Sequence, residues 1–317
     1  MSDFRPASQK PYRDFTEYFQ SIFPFKVQKI SINAGFTCPN RDGASGHGGC
    51  AYCNNRSFTP DYTSKFGSIT QQIEDGKRFF SHKYPEMKYL AYFQSYTNTY
   101  GDDIDAMIAK YEEALSVPDV VGIIIGTRPD CMPAALLDYF ETLSCQTFVY
   151  IEYGVESTLD PSLERINRGH DFATSINAIE ETARRGIPVG AHLIIGLPGE
   201  GREDFVHHIS ELSKLPITSI KLHQLQILKG TILGQEFLKA PASIPLLSPD
   251  EYLEILGNLI AHLREDIYID RFVSSSPADL LIAPKWNIKN HVFTHKVLRY
   301  LQEKDIRQGM YYKELIS

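Results

Sequence analysis

The chain has 317 residues, 43% hydrophobic and 22% charged, the profile of a globular protein with enough apolar material for a large core in one or two domains. Its formal charge of −7 argues against a broad basic surface for nucleic acid and leaves room only for a local basic patch. The opening MSDFRPASQKPYRDF lacks the apolar stretch of a secretory signal, and no apolar run approaches the roughly 18 residues of a membrane span. Five cysteines, an odd number, suit metal ligation or thiol chemistry in a reducing compartment better than a disulfide framework. A cytoplasmic protein with no membrane contact is expected.

In chain order, a short amphipathic helix (12–22) leads into an alternation. Apolar, β-branched runs fall at 27–33, 88–95, 120–128, 147–157, 188–198 and 219–228. Helical patterns separate them at 68–84, 102–117, 133–145, 175–186 and 203–215. Such alternation implies a parallel sheet with crossover helices. Polar residues crowd the C-terminal ends of nearly every strand, in QSYTN, TRPD, GVES, GLPGE and LHQLQ. That is the pattern of a barrel mouth, whereas an open doubly wound sheet would confine them to one switch point. The fold expected is therefore α/β, a partial (β/α)6 TIM-like barrel over residues 1–235 that includes the N-terminal helix. From residue 236 the alternation fails. Helical segments at 250–263 and 288–304 predict a mainly helical C-terminal extension, 236–317, packed on the barrel.

CPNRDGASGHGGCAYC, directly after the first strand, holds Cys38, Cys50 and Cys53, three of the five cysteines. Gly35, Gly43, Gly46, Gly48 and Gly49 let the backbone wrap closely around a bulky group. Two metal centres suit this spacing. Cys38, His47, Cys50 and Cys53 make a complete set for a closed tetrahedral zinc site, which would read the chain as a zinc-stabilised binding module. Alternatively, three thiolates hold a [4Fe–4S] cluster one ligand short, and the open iron can chelate a small molecule through an amine and a carboxylate. The position favours the second, because a structural zinc knuckle has no reason to sit at a barrel mouth. On strand 4, Glu152, Gly154 and Glu156 share one face. If that face points inward, two carboxylates enter the interior and need a cation or a function.

Three cysteines in a loop after strand 1, with Tyr52 just before the last, resemble the radical S-adenosylmethionine (SAM) superfamily. The usual spacing there is CxxxCxxC, and here eleven residues separate the first two cysteines. TRPD (127–130), GVES…INRGH (154–170) and LIIGLPGE (193–200) resemble, in order, the radical SAM domain of the elongator catalytic subunit, and parts of oxygen-independent coproporphyrinogen oxidase. The long first gap, FQSYTNTY (93–100) and the tail APKWNIKNHVFTHKVLRYLQ (283–302) look like YhcC/YtqA-type radical SAM proteins, so the likeness covers nearly the whole chain.

The resemblance implies that Cys38, Cys50 and Cys53 ligate a [4Fe–4S] cluster. It implies that SAM is the second cofactor, cleaved reductively to methionine and a 5′-deoxyadenosyl radical, with a flavodoxin- or ferredoxin-type electron donor as partner. Tyr52 then lies near the adenine. Gln94, Thr97 and Asn98 stand where relatives receive the SAM ammonium, and offer oxygen acceptors. Arg128 suits the SAM carboxylate, its alternative being a rim ion pair with Asp130 or Glu156. Glu156, with Ser157 beside it, matches a glutamine set against SAM, and Arg168 an arginine at the carboxylate. Ile194 and Gly196 align with the adenine motif, where His192 replaces a glycine, and Gln224 and His223 are candidates for adenine or substrate. Cys131 and Cys145 read as small buried hydrophobes, Cys131 lying near the mouth. Elongator-type relatives act on the wobble uridine of tRNA. The chain has no segment long enough for their acetyltransferase domain, so an existing uridine side chain is the expected target. Lys285, Trp286, Lys289, Lys296 and Arg299 form a candidate RNA-facing cluster. A solvated helix face is the plainer reading of that cluster, and a small molecule or peptide the rival substrate.

Overall fold

The computed structural model describes residues 10–44, 46–58, 67–81 and 86–312. The elements run α1 (Phe15–Ile22), β1 (Val27–Ile32), α2 (Pro39–Asp42), α3 (Ile69–Phe80), β2 (Lys88–Phe93), α4 (Ile104–Ser116), β3 (Val120–Thr127), α5 (Ala134–Ser144), β4 (Phe148–Glu156) and α6 (Asp160–Arg165). There follow α7 (Phe172–Arg184), β5 (Val189–Ile195), α8 (Arg202–Lys214), β6 (Ser219–Gln224), β7 (Ile227–Leu228), α9 (Ile232–Lys239), α10 (Pro249–His262), β8 (Tyr268–Arg271), β9 (Leu281–Ala283) and α11 (Asn290–Glu303). The helix expected over 68–84 has its end, and the N-terminal stretch its first nine residues, outside the described residues. Helix starts follow the capping signals in the sequence. Asp103 and Asp171 accept from the backbone N–H three residues on, and Ser248 with Glu251 forms a capping box ahead of Pro249.

All six expected strands form and pair in parallel in the order β1-β2-β3-β4-β5-β6, and a seventh, β8, joins beyond β6. The result is a half-barrel. β8 is four residues long, YIDR, and half polar, too short to show a period, and it arises from the region read as a helical extension. The N-terminal segment covers its outer edge: Ile269 N donates to Arg13 O at 2.8 Å, beside a parallel bridge between Asp14 and Ile269. This contact covers part of the sheet's edge.

Strand periodicity sorts the side chains. Tyr89, Ala91, Phe93, Val149, Ile151, Tyr153, Val189, Ala191, Leu193, Ile220 and Leu222 face the helices in the main core. Residues of opposite parity face the interior. At the N-terminal end of the strands that interior is filled: Phe15, Tyr18 and Phe19 of α1 pack against Phe148, Tyr150 and Tyr268. Among the described residues this aromatic plug fills the N-terminal end of the interior, while the cavity opens at the C-terminal end of the strands.

Candidate active site

The C-terminal end holds a solvent-connected cavity, lined by side chains from every strand of the half-barrel except β1 itself, whose following loop supplies Cys38. Cys38, Cys50 and Cys53 all line it. α2 starts right after Cys38, with Pro39 as its first residue, and turns the chain so that Asn40 is fully buried beneath the loop. Asn40 Nδ2 donates to Cys50 Sγ at 3.4 Å and to the carbonyls of Asn167 and Arg168 at 2.6 and 3.0 Å. Cys50 Sγ also receives Arg168 Nη1 at 3.5 Å and Arg128 Nη1 at 3.9 Å. Three N–H donors on one sulfur stabilise a thiolate and its metal-bound form. Burial, then the neighbouring Cys50, pushes the Cys53 thiol up to about 12, with Arg41 pulling the other way. Deprotonation of such a thiol therefore accompanies metal binding.

Among the described residues no three His, Cys, Asp or Glu side chains are arranged around a single metal ion. His47 is exposed, its ring against Gly43, and it does not line the cavity. The four-ligand zinc set is thus not assembled. Separate thiols around one cavity, with donors on sulfur, suit a cluster in which each thiolate takes its own iron.

The two arginines are held differently. Arg128 forms a bidentate pair with Asp130, at 2.9 and 2.7 Å, and donates to Arg168 O at 2.8 Å. The rim ion pair weighed from sequence is therefore present, and it fixes the guanidinium with Nη1 toward Cys50. Arg168 donates to Gly154 O and lies beside Glu156. Glu156 has φ +71°, and the β4–β5 register shifts between Gly154 and Glu156. A bulge with a left-handed non-glycine residue is strained backbone that re-aims the side chain, here into the cavity. Gly154 makes room for it: a Cβ there would meet Glu156 Oε1 at 2.5 Å and Arg168 Nη2 at 2.8 Å. Burial pushes the Glu156 carboxyl up, and Arg168 and the Tyr52 hydroxyl pull it part of the way back. Among the described residues Glu156 Oε2 and Arg168 Nε are buried without partners, as expected of groups that await a ligand.

Below lies a charged layer. Glu152 accepts from Tyr92 Oη at 2.5 Å, Lys221 Nζ at 2.7 Å, His192 Nε2 at 3.0 Å and Lys29 Nζ at 3.3 Å. Asp270 of β8 pairs with the same two lysines at 3.0 and 3.2 Å. Lys221, then Lys29, holds the Glu152 carboxyl well below the usual range against its burial. His192 is pushed down to about 4 by burial and then by Lys221, so the ring is neutral.

Of the residues expected to bind a cofactor, Tyr52, Gln94, Thr97, Arg128, Glu156, Arg168, His192, Ile194 and Gln224 line the cavity. Gln224 spends both ends of its amide on Ser274, at 3.0 and 3.1 Å. Three do not line it. Asn98 is fully buried, its Nδ2 joining the ends of β2 and β3 through Phe93 O and Gly126 O. Ser157 donates to Glu200 at 2.7 Å in a buried chain that continues to His208 and Thr158. Gly196 faces a small separate recess beside Leu247. Cys131 is buried and off the cavity, its thiol pushed up to about 12 by burial. Cys145 is exposed, correcting its reading as a buried hydrophobe, because it caps the solvent end of α5. Trp286 is also corrected. Its ring packs on Phe293 and Tyr252 and its N–H donates to Leu247 O at 3.1 Å, so it is no open stacking platform. Arg299 is paired with Glu303, while Lys285, Lys289 and Lys296 are exposed. Sequence reasoning missed Asn40 and Arg41, for which proximity to Cys38 was a signal, and Arg271 of β8, for which there was none.

The radical SAM superfamily model matches residues 36–212 and the radical SAM C-terminal domain model residues 217–303. The protein YtqA of Bacillus subtilis is 30% identical over 308 residues, 97% of this chain and 95% of its own. Protein YhcC of Escherichia coli K12 is 34% identical over 283 residues, 89% of each chain. Elp3 of the archaeon Methanocaldococcus infernus, solved without its N-terminus, shares the fold with a TM-score of 0.67 at 17% identity, over 92% of this chain and 68% of that one. No helix among the described residues is long and apolar enough to cross a membrane. The chain belongs to the radical SAM superfamily and is a radical SAM enzyme, a membership that implies a [4Fe–4S] cluster and SAM as its cofactors.

Proposed function

We propose that Cys38, Cys50 and Cys53 hold the [4Fe–4S] cluster and that the enzyme acts on the side chain of a uridine in tRNA. A bound cluster supplies the electron that cleaves SAM to methionine and a 5′-deoxyadenosyl radical, drawn from a flavodoxin- or ferredoxin-type donor. The chain's own residues bind, orient and screen. Arg168, with the fixed Arg128 behind it, receives the SAM carboxylate, while Gln94 and Thr97 offer oxygens to its ammonium. Tyr52 and Ile194 flank the adenine, and Glu156 accepts from the ribose or ammonium through its unpartnered Oε2. The aromatic plug and the ionic layer keep the deep end closed to water.

The observation that carries the cluster assignment is the triple donation to Cys50 Sγ among three thiols at one cavity. The tRNA reading is carried by the ordered TRPD, INRGH and GLPGE segments, which resemble wobble-uridine enzymes and here bring Arg128 and Arg168 to that cavity. The test is mass spectrometry of tRNA nucleosides from a strain lacking the gene, complemented with wild type or with Cys53→Ala. One uridine derivative should change in the deletion and stay changed with Cys53→Ala. Identical profiles in all strains would overturn the tRNA reading in favour of a small molecule or peptide.

A further inference from the structure

The cavity has a second wall, opposite in sheet order to the cysteine loop, built from β5, β6, β8 and the segment after β8. Its cation is Arg271, which lines the cavity from the seventh strand. Arg128 is saturated by Asp130 and Arg168 lies beside Glu156. The Arg271 guanidinium, in contrast, has no ion pair or hydrogen bond among the described residues, and its Nε is buried without a partner there. The ionic layer beneath does not need it, since two carboxylates, Glu152 and Asp270, face two ammonium groups, Lys29 and Lys221. An unpaired guanidinium in a partly buried site is unfavourable unless an anion completes it.

Beside it stands His223, 9% exposed, with Nε2 buried and unpartnered among the described residues. Burial, and then Arg271 itself, pushes its pKa well below the ordinary histidine value. The neutral ring offers one N–H. The wall is rigid where it meets Arg271. Gln224 clamps Ser274 N and O, Gln226 donates to the same oxygen at 3.1 Å, and Ser276 Oγ donates to Gln226 Oε1 at 2.7 Å. That clamp fixes the backbone carrying the Ser274 hydroxyl at the cavity.

We propose that this wall binds an acidic group of the substrate, a carboxylate or a phosphate, with Arg271 as its charged anchor and His223 and Ser274 as flanking donors. A guanidinium offers a planar fork matched to either anion. The inference concerns the substrate end of the cavity and holds whether or not that substrate is tRNA.

The test is calorimetric titration of the reconstituted, SAM-loaded protein with succinate, with inorganic phosphate and with neutral succinamide, all at matched ionic strength. At least one anion should bind saturably and succinamide should not. Arg271→Gln should weaken that binding about tenfold or more while leaving SAM affinity as in wild type and thermal stability no lower, because it removes no side-chain bond within the protein and relieves an unpaired charge. His223→Gln should weaken it less, and it supplies the comparison if Arg271→Gln does not fold. Binding of succinate alone assigns a carboxylate, and of phosphate alone a phosphorylated substrate. Three results overturn the proposal: no saturable anion binding, binding that survives both substitutions, or a loss of SAM affinity in Arg271→Gln, which would give the guanidinium to the cofactor.

Discussion

Cys50 gathers more of the site's hydrogen bonds than either other cysteine, since Asn40, Arg128 and Arg168 all donate to its sulfur. Cys38→Ala, Cys50→Ala and Cys53→Ala should each lose the brown colour and most of the iron after anaerobic reconstitution. Cys145→Ala, altering an exposed thiol, should keep both, as iron and sulfide analysis will show. Gly154 sets a finer constraint. An added methyl would overlap Glu156 and Arg168, and overpacking of this kind costs about 1–3 kcal/mol. Gly154→Ala should therefore weaken SAM binding about tenfold while keeping most of the iron, since all three thiols stay in place although Arg168, one donor to Cys50 Sγ, is displaced. Equal SAM affinity in wild type and variant would show that Glu156 and Arg168 do not orient the cofactor.

At the scale of elements, the strands carry their polar residues inward as a layer whose charges depend on burial. His192 is held down to about 4, and His223 well below its ordinary value, both first by burial. An unfolded histidine titrates near about 6.5. Between those values the unfolded chain binds protons that the folded barrel refuses, so stability falls as pH falls through that window. Asp270, held down to about 2 by Lys29 and Lys221 against its burial, extends the loss from about 4 downward, where an unfolded aspartate protonates. Tm should decline progressively as pH falls below about 7. His192→Gln should flatten the decline between about 6.5 and 4 and leave the lower part parallel to wild type. Scanning calorimetry on both proteins across this range checks it, and superimposed slopes would remove His192 from the account.

On the scale of the whole molecule, the C-terminal region is part of the barrel as well as its neighbour. It closes the sheet with β8, supplies Arg271 and the Ser274 wall to the cavity, and packs α10 and α11 through Tyr252, Trp286 and Phe293. Trp286→Ala should lower unfolding free energy by about 2–3 kcal/mol in denaturant titration, at the low end for a large core aromatic because the ring is only half-buried. Its tRNA affinity at equal folded fraction should match wild type. Lys289→Glu, on an exposed residue, has the opposite profile if RNA crosses that face: unchanged stability, weaker binding, and a salt dependence reduced by about one phosphate contact. Unchanged binding there would make the cluster a solvated helix face.

The six long strands, the helices between them and their caps were legible because each carries its own period and termini within a dozen residues or so. Local pattern also singled out the three cysteines and the strand-end residues Arg128 and Glu156, and the family resemblance added Arg168. Pairing across the fold decided the rest. Sequence placed Asn98, Ser157 and Gly196 at strand ends correctly, but only the packed structure shows that they turn to backbone carbonyls, to Glu200 or to a neighbouring recess instead of the cavity. β8 has four residues and no period, and it exists as a strand because the edge of β6 is there to receive it. Glu152, visible as an inward carboxylate, acquires its meaning from Lys29, Lys221 and His192, which lie 123, 69 and 40 residues away along the chain. Nothing in the sequence around Arg271 marks it. The lack of a partner for its guanidinium is a property of the space around it, and that space is made by six strands and their loops, brought together only when the barrel forms.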